Sequence, residues 1–254
     1  MARSASLDAG RWLPTYGWWP HPERFQASVM ISPYHSALES DGDARFATVV
    51  RGYAGSGTPV WEHDMGEQAM GEERVLTLSD LDVPPPPPEG AVVEVHTVRL
   101  DREPSTGVAA IGMWIDAVSP DGGGYIIPTQ PIRGAQKVIA RDDVQVVPGI
   151  IATDEVDTQL LLLNVIGEPV EVRLVASSAE GLTQDSKPFT LTPYSAWHGS
   201  LRRTVPRVRR LLESSDGIGS LAIYSNHRLL PHFGFSRDGG PVGSLDHTAP
   251  IFAN

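Results

Sequence analysis

The chain has 254 residues, 41% of them hydrophobic, with a mean hydropathy of −0.15 and a formal net charge of −11. This balance supports a globular chain with a sizeable core and excludes disorder by composition. The acidic excess argues against nucleic acid as a partner, because phosphate binding needs clustered Lys and Arg to displace counterions.

Cysteine is absent, which removes disulfides, Fe–S clusters, thiolate zinc sites and a Cys nucleophile. No window approaches 18 uninterrupted apolar residues, and the first residues, MARSASLDAGRWLP, lack an apolar signal core. The expectation is a chain that is not membrane-embedded, with a cytoplasmic location. Its length predicts one large or two small domains.

Residues 1–24 carry Trp12, Tyr16, Trp18, Trp19 and His21 among Pro14, Pro20 and Pro22, a composition that cannot run as a helix. It predicts an extended arm whose aromatics either plug a groove on the arm's own domain or stack on a ligand. Short strands follow over Ser28 to Ser32, Phe46 to Tyr53, Val60 to His63, Arg74 to Leu78, Ala91 to Leu100 and Val108 to Val118. The run FATVVRGY shows why: Phe46, Thr48 and Val50 fall on one side, and Ala47, Val49 and Arg51 on the other. Gly55 to Pro59 and Gly66 to Gly71 read as hairpin connections. Pro84 to Pro88 reads as a stiff polyproline II bridge across the end of a sheet.

Residues 119–147 break this rhythm with Pro120, three consecutive glycines, Pro128 and Pro131. The glycines lack the following helix and Lys of a phosphate-binding loop. A second set of strands begins at Val144 to Val147 and continues over Gln159 to Asn164, Val170 to Ala176, Phe189 to Leu191 and Ala196 to Leu201. A basic helix is expected from Pro206 to Ser214, with Pro206 in its first turn and Gly217 as its cap. Its Arg202, Arg203, Arg207, Arg209 and Arg210 form either a solvated face or an anion site opposite an apolar face of Leu201, Val205, Val208, Leu211 and Leu212. The fold class is all-β: two tandem antiparallel β-sandwich domains, the second with one short helix. The implied division is an arm at 1–24, a first sandwich at 25–120, a linker at 121–143, and a second sandwich at 144–254 with a helix near 206–214. A weak internal repeat sets Arg99 and Leu100 against Arg228 and Leu229.

The run LSDLDVPPPPPEGAVVEVHTVRLD resembles the end of the sensory rhodopsin transducer family, through Asp80, Leu81, Pro84, Pro86, Pro88, Arg99, Leu100 and Asp101. The resemblance spans about residues 26–118, with a fainter echo in the second half. It implies a small lectin-like binding sandwich that partners a membrane receptor or small ligands and has no enzymatic site. This chain departs from the family in length, in its second unit and in its Trp-rich arm.

Polar chemistry concentrates between Gly217 and Phe252, where His227, Arg228, His232, Arg237, Asp246 and His247 sit among strand-forming residues. A His with an orienting carboxylate is the minimum equipment for general acid–base work, which nominates His232, His247 and Asp246 as catalytic, with Arg228 and Arg237 holding an anionic ligand. Trp18, Trp19, Tyr194, Trp197 and His198 form further aromatic–polar groups suited to a carbohydrate or apolar ligand. The segment WEHDMGE (His63, Asp64, Glu67) lacks metal-site spacing, so neither metal nor cofactor is expected. The leading expectation is a non-enzymatic ligand-binding or interaction protein for a small molecule, glycan or protein partner. An acid–base enzyme (isomerase, cyclase or hydrolase) is the alternative, and exposed sheet edges also admit a homo-oligomer.

Overall fold

The computed structural model describes residues 14–32, 45–100, 112–128, 143–237 and 240–247; for 99, 112, 128, 143 and 240–247 it describes the backbone alone. The arm's first residues with Trp12, the expected strand start at Val108, Asp101 and most of the linker lie outside the described residues. The fold is all-β, and its strands pair antiparallel throughout the described residues except where Gly240–His247 meets Gly124–Pro128 in parallel. In chain order the strands are β1 (Thr15–Trp19), β2 (Gln26–Ser32), β3 (Arg45–Tyr53), β4 (Trp61–Ala69), β5 (Arg74–Thr77), β6 (Ala91–Arg99), β7 (Gly112–Val118), β8 (Gly124–Pro128) and β9 (Asp143–Ile151). They continue with β10 (Val156–Asn164), β11 (Val170–Ser177), β12 (Thr183–Asp185), β13 (Phe189–Leu191), β14 (Ser195–Ser200), β15 (Ile218–Ser225), β16 (Leu230–Arg237) and β17 (Gly240–His247).

The larger sheet follows the path β4-β3-β6-β14-β10-β16-β17-β8-β7-β2-β5, with β1 added alongside β6. It curls, so that β2, β7 and β8 face β6, β10 and β14 across a core of Val29, Ile31, Met113, Ile115, Ile127, Val93, Val95, Leu161 and Leu163. The smaller sheet, β12-β11-β15-β9 with β13 beside β11, packs on the other face of β10 around Val172, Leu174, Leu221 and Ile223. The two halves of the chain meet in one sheet, where Ser195 pairs with Ala91.

Strand β10 explains the layering. Its sequence VDTQLLLLN has an uninterrupted apolar run where a one-sided strand would alternate. Leu161 and Leu163 enter the first core, while Leu160 and Leu162 enter the second. All four are sealed from solvent, so the run is a strand buried on both faces.

Several expectations are corrected in detail. Part of the arm is itself a strand: Thr15–Trp19 pairs with β6 from Thr15↔Val95 to Trp19↔Ala91, which places Trp18 and Trp19 in the core and not on a ligand-stacking surface. Gly66 does not open a turn. β4 runs through it as a bulge, with Gly66 at φ 73 and its N–H donated to Asp64 Oδ1 at 2.7 Å, and the chain reverses later at Gly71. The Gly- and Pro-rich stretch after residue 119 contains β8, and a Cβ on Gly124 would meet the Ala117 carbonyl at 2.7 Å. The basic helix is split into helical turns at Leu201–Thr204 and Val208–Leu212, followed by a 3-10 turn to Ser215. Pro206 forces the break by holding Val205 extended at φ −104 and ψ 104, and Arg207 then turns the chain at φ 62. The paired repeat positions differ in setting, since Leu100 is exposed and Leu229 is in the second core. Among the described residues no helix is long and apolar enough to cross a membrane.

Candidate functional site

The register of β14, β10 and β16 builds a graded surface on the face of β10 that carries Leu161 and Leu163. Cross-strand partners project to the same side of a sheet. Leu163 is flanked by Ala196 and Leu230, Leu161 by His198 and His232, and Gln159 by Ser200 and Gly234; Asp157 then pairs with Ser236. The rows thus pass from apolar to polar along the strands. The polar rows floor a cleft of about 610 Å³. Its walls are the turn at Glu23–Phe25, the loop Ser119–Asp121 with Tyr125, and the helical turn carrying Arg202, Arg203 and Thr204.

Asp157 is the buried acid of this floor, and it is fully engaged. Ser200 Oγ donates to it, as does the Arg202 backbone N–H at 3.3 Å, and Arg202 Nε lies 3.2 Å from the same carboxylate. Arg202 Nη1 also donates to the Thr153 carbonyl at 2.7 Å. Gln159 Nε2 donates to Ser236 Oγ at 2.8 Å, which completes a hydrogen-bonded floor.

His198 closes the inner end. Arg24 reaches it from the β1–β2 turn, with Nη2 at 2.9 Å from His198 Nδ1 and Nη1 donating to the Pro88 carbonyl at 3.1 Å. A guanidinium can only donate, so Nδ1 is the acceptor and the ring proton resides on Nε2. The ring is surrounded by Trp18, Phe25 and Tyr125, with centroids 5.0, 5.7 and 5.7 Å away. Burial, with a further contribution from the Arg24 charge, pushes the His198 pKa down to about 3, so the imidazole is neutral at physiological pH. Burial likewise raises the Tyr125 phenol above its usual range, partly opposed by Arg24, and keeps it a protonated donor.

The nominated residues scatter. His232 is buried one row inward of the cleft floor, and the backbone register sets it opposite His247 while Asp246 pairs with Phe233. Arg237 is exposed, 3.9 Å from Glu155, and Arg228 is half-buried in the segment between β15 and β16. Trp18 and Trp19 are core residues whose faces do not reach solvent. Tyr194, at φ 47, stacks on Tyr53 with centroids 4.5 Å apart. Trp197 packs against Phe189 and lines the cleft together with His198. Arg24, Tyr125, Asp157, Gln159, Ser200 and Ser236 escaped sequence reasoning because they come from separate segments; a visible signal was the pair Arg202 and Arg203 beside PYSAWHGS. Among the described residues no group of three His, Asp or Glu is placed to hold a metal ion. No family model, curated protein or solved structure matches the chain.

Proposed function

We propose that the protein binds a polar small molecule or glycan in the cleft over β14, β10 and β16 without transforming it. The observation that carries this reading is the change from apolar to polar rows on one face of β10, beneath an open volume of about 610 Å³ walled by both halves of the chain. Ligand sites favour such junctions, where a few convergent polar groups fix orientation over an apolar surround. The titratable groups of the cleft also suit binding better than proton transfer. His198 remains neutral at physiological pH, Tyr125 remains protonated, and Asp157 is held by Arg202 and Ser200. The transducer-like resemblance of residues 26–118 points the same way.

The reading is tested by titrating isotopically labelled protein with a panel of sugars and small metabolites while following backbone amides. A ligand of this site moves the amides of Arg24, Phe25 and His198 to Arg203 together and is recovered unchanged. Perturbations confined to β16 and β17, or chemical conversion of the ligand, would instead favour the acid–base alternative built on His232, His247 and Asp246.

A further inference from the structure

Resting on that binding reading, we infer that the cleft selects a polyhydroxylated monocarboxylate, a sugar acid, over a neutral sugar or a polyanion. This selectivity follows from which charges lining the cleft are already compensated. Arg202 is matched by Asp157 and by backbone carbonyls. Arg24 is not: its two hydrogen-bonding partners, the Pro88 carbonyl and His198 Nδ1, are both uncharged, and Glu89 acts on it through space without an ion pair. Arg203 is exposed at the cleft wall and has no ion-pair or hydrogen-bond partner among the described residues. Two arginines thus offer charge to one cleft in a chain whose net charge is −11, a setting in which a local positive site focuses an incoming anion.

The other uncompensated groups restrict the anion further. Glu23 and Asp121 are exposed at the cleft and accept hydrogen bonds from hydroxyls, while their charge opposes a second anionic group on the ligand. Ser200, Gln159 and Ser236 are already bonded within the floor and Phe25 and Tyr125 are buried beneath it, so selection falls to the charged groups at the rim. A single carboxylate directed at Arg203 and Arg24, with hydroxyls toward Glu23 and Asp121, satisfies both signs. Inorganic phosphate lacks the hydroxyl-bearing frame, and a neutral sugar leaves the arginines unmatched.

The test is isothermal titration of the full chain with D-glucuronate, D-glucose and inorganic phosphate, repeated on Arg203→Glu. Arg203 has no ion-pair or hydrogen-bond partner among the described residues, so circular dichroism and the unfolding midpoint of that variant should match the parent. The expected result is glucuronate bound about tenfold or more tightly than either other probe, a preference lost in Arg203→Glu while any glucose binding persists. Equal binding of glucose and glucuronate overturns the carboxylate selectivity and leaves cleft binding standing. Tighter binding of phosphate, or no binding of glucuronate, also overturns it, and the amide perturbations described above then decide the binding reading separately. Glucuronate binding that Arg203→Glu leaves unchanged places the anion outside the cleft and refutes the inference.

Discussion

Neutral His198 makes a quantitative demand on stability against pH. The folded state holds the imidazole with its pKa depressed to about 3, while an unfolded chain titrates it near 6.5. The unfolded state therefore binds the proton more readily, so this contribution is fully present above about pH 6.5 and is lost as pH falls from there toward 3. Each unit of pH within that window is worth about 1.4 kcal/mol, so at pH 5 the histidine has withdrawn about 2 kcal/mol of the stability seen at pH 8. The facing charges are few: Arg24 on the β1–β2 turn, which adds to the depression, and the Tyr125 hydroxyl, which stays protonated throughout. His198→Asn keeps an acceptor near the Nδ1 position for Arg24 and removes the titration. Urea unfolding of both proteins at pH 8 and pH 5 should show the parent losing about 2 kcal/mol more than the variant. Parallel losses would refute the depressed pKa of His198, as would an NMR titration of His198 in the folded protein with a midpoint near 6.5.

Other expectations follow from packing and backbone geometry. Leu162→Ala opens a void in the second core and should cost about 2–5 kcal/mol in urea unfolding, with comparable loss for Leu161→Ala in the first. Arg207→Gly relieves a left-handed residue at φ 62 and should raise stability by about 0.5–1 kcal/mol, read as a higher unfolding midpoint. Gly90→Ala should destabilise by at least about 1 kcal/mol, since Gly90 sits at φ 93 and an added Cβ would collide with the Trp18 indole. Asp157→Asn removes the acid shared by Ser200 and Arg202 and should cost about 2 kcal/mol in the same assay, moderated because Arg202 is partly exposed.

The strands that alternate were legible because their physics is local. VEVRLVAS declares one buried face and became β11, whereas FATVVRGY alternates in sequence and became β3, a strand buried on both faces from Thr48 to Tyr53. The four leucines of β10 announced a strand, but only the sheets above and below it reveal that both faces are used. β8 was hidden by Gly and Pro at its ends, residues that signal turns locally and are accommodated here by pairing with β7. Within the cleft, Trp197 and His198 were visible as an aromatic–polar group. The contact that gives His198 its character comes from Arg24, 174 residues earlier, and no local pattern encodes it.

The place of β10 in the chain bears on how the protein emerges from the ribosome. Residues up to Pro128 supply most of the first core, yet Leu161 and Leu163 are synthesised later, so the nascent N-terminal half waits with part of its interior open. The same short segment then closes that interior and templates the next one, which couples the two cores into a single late step. Stalled chains that expose β10 but not β14 (Ser195–Ser200), the strand that joins β10 to β6, should keep a protease-sensitive N-terminal half, and resistance should appear once β14 has also left the ribosome.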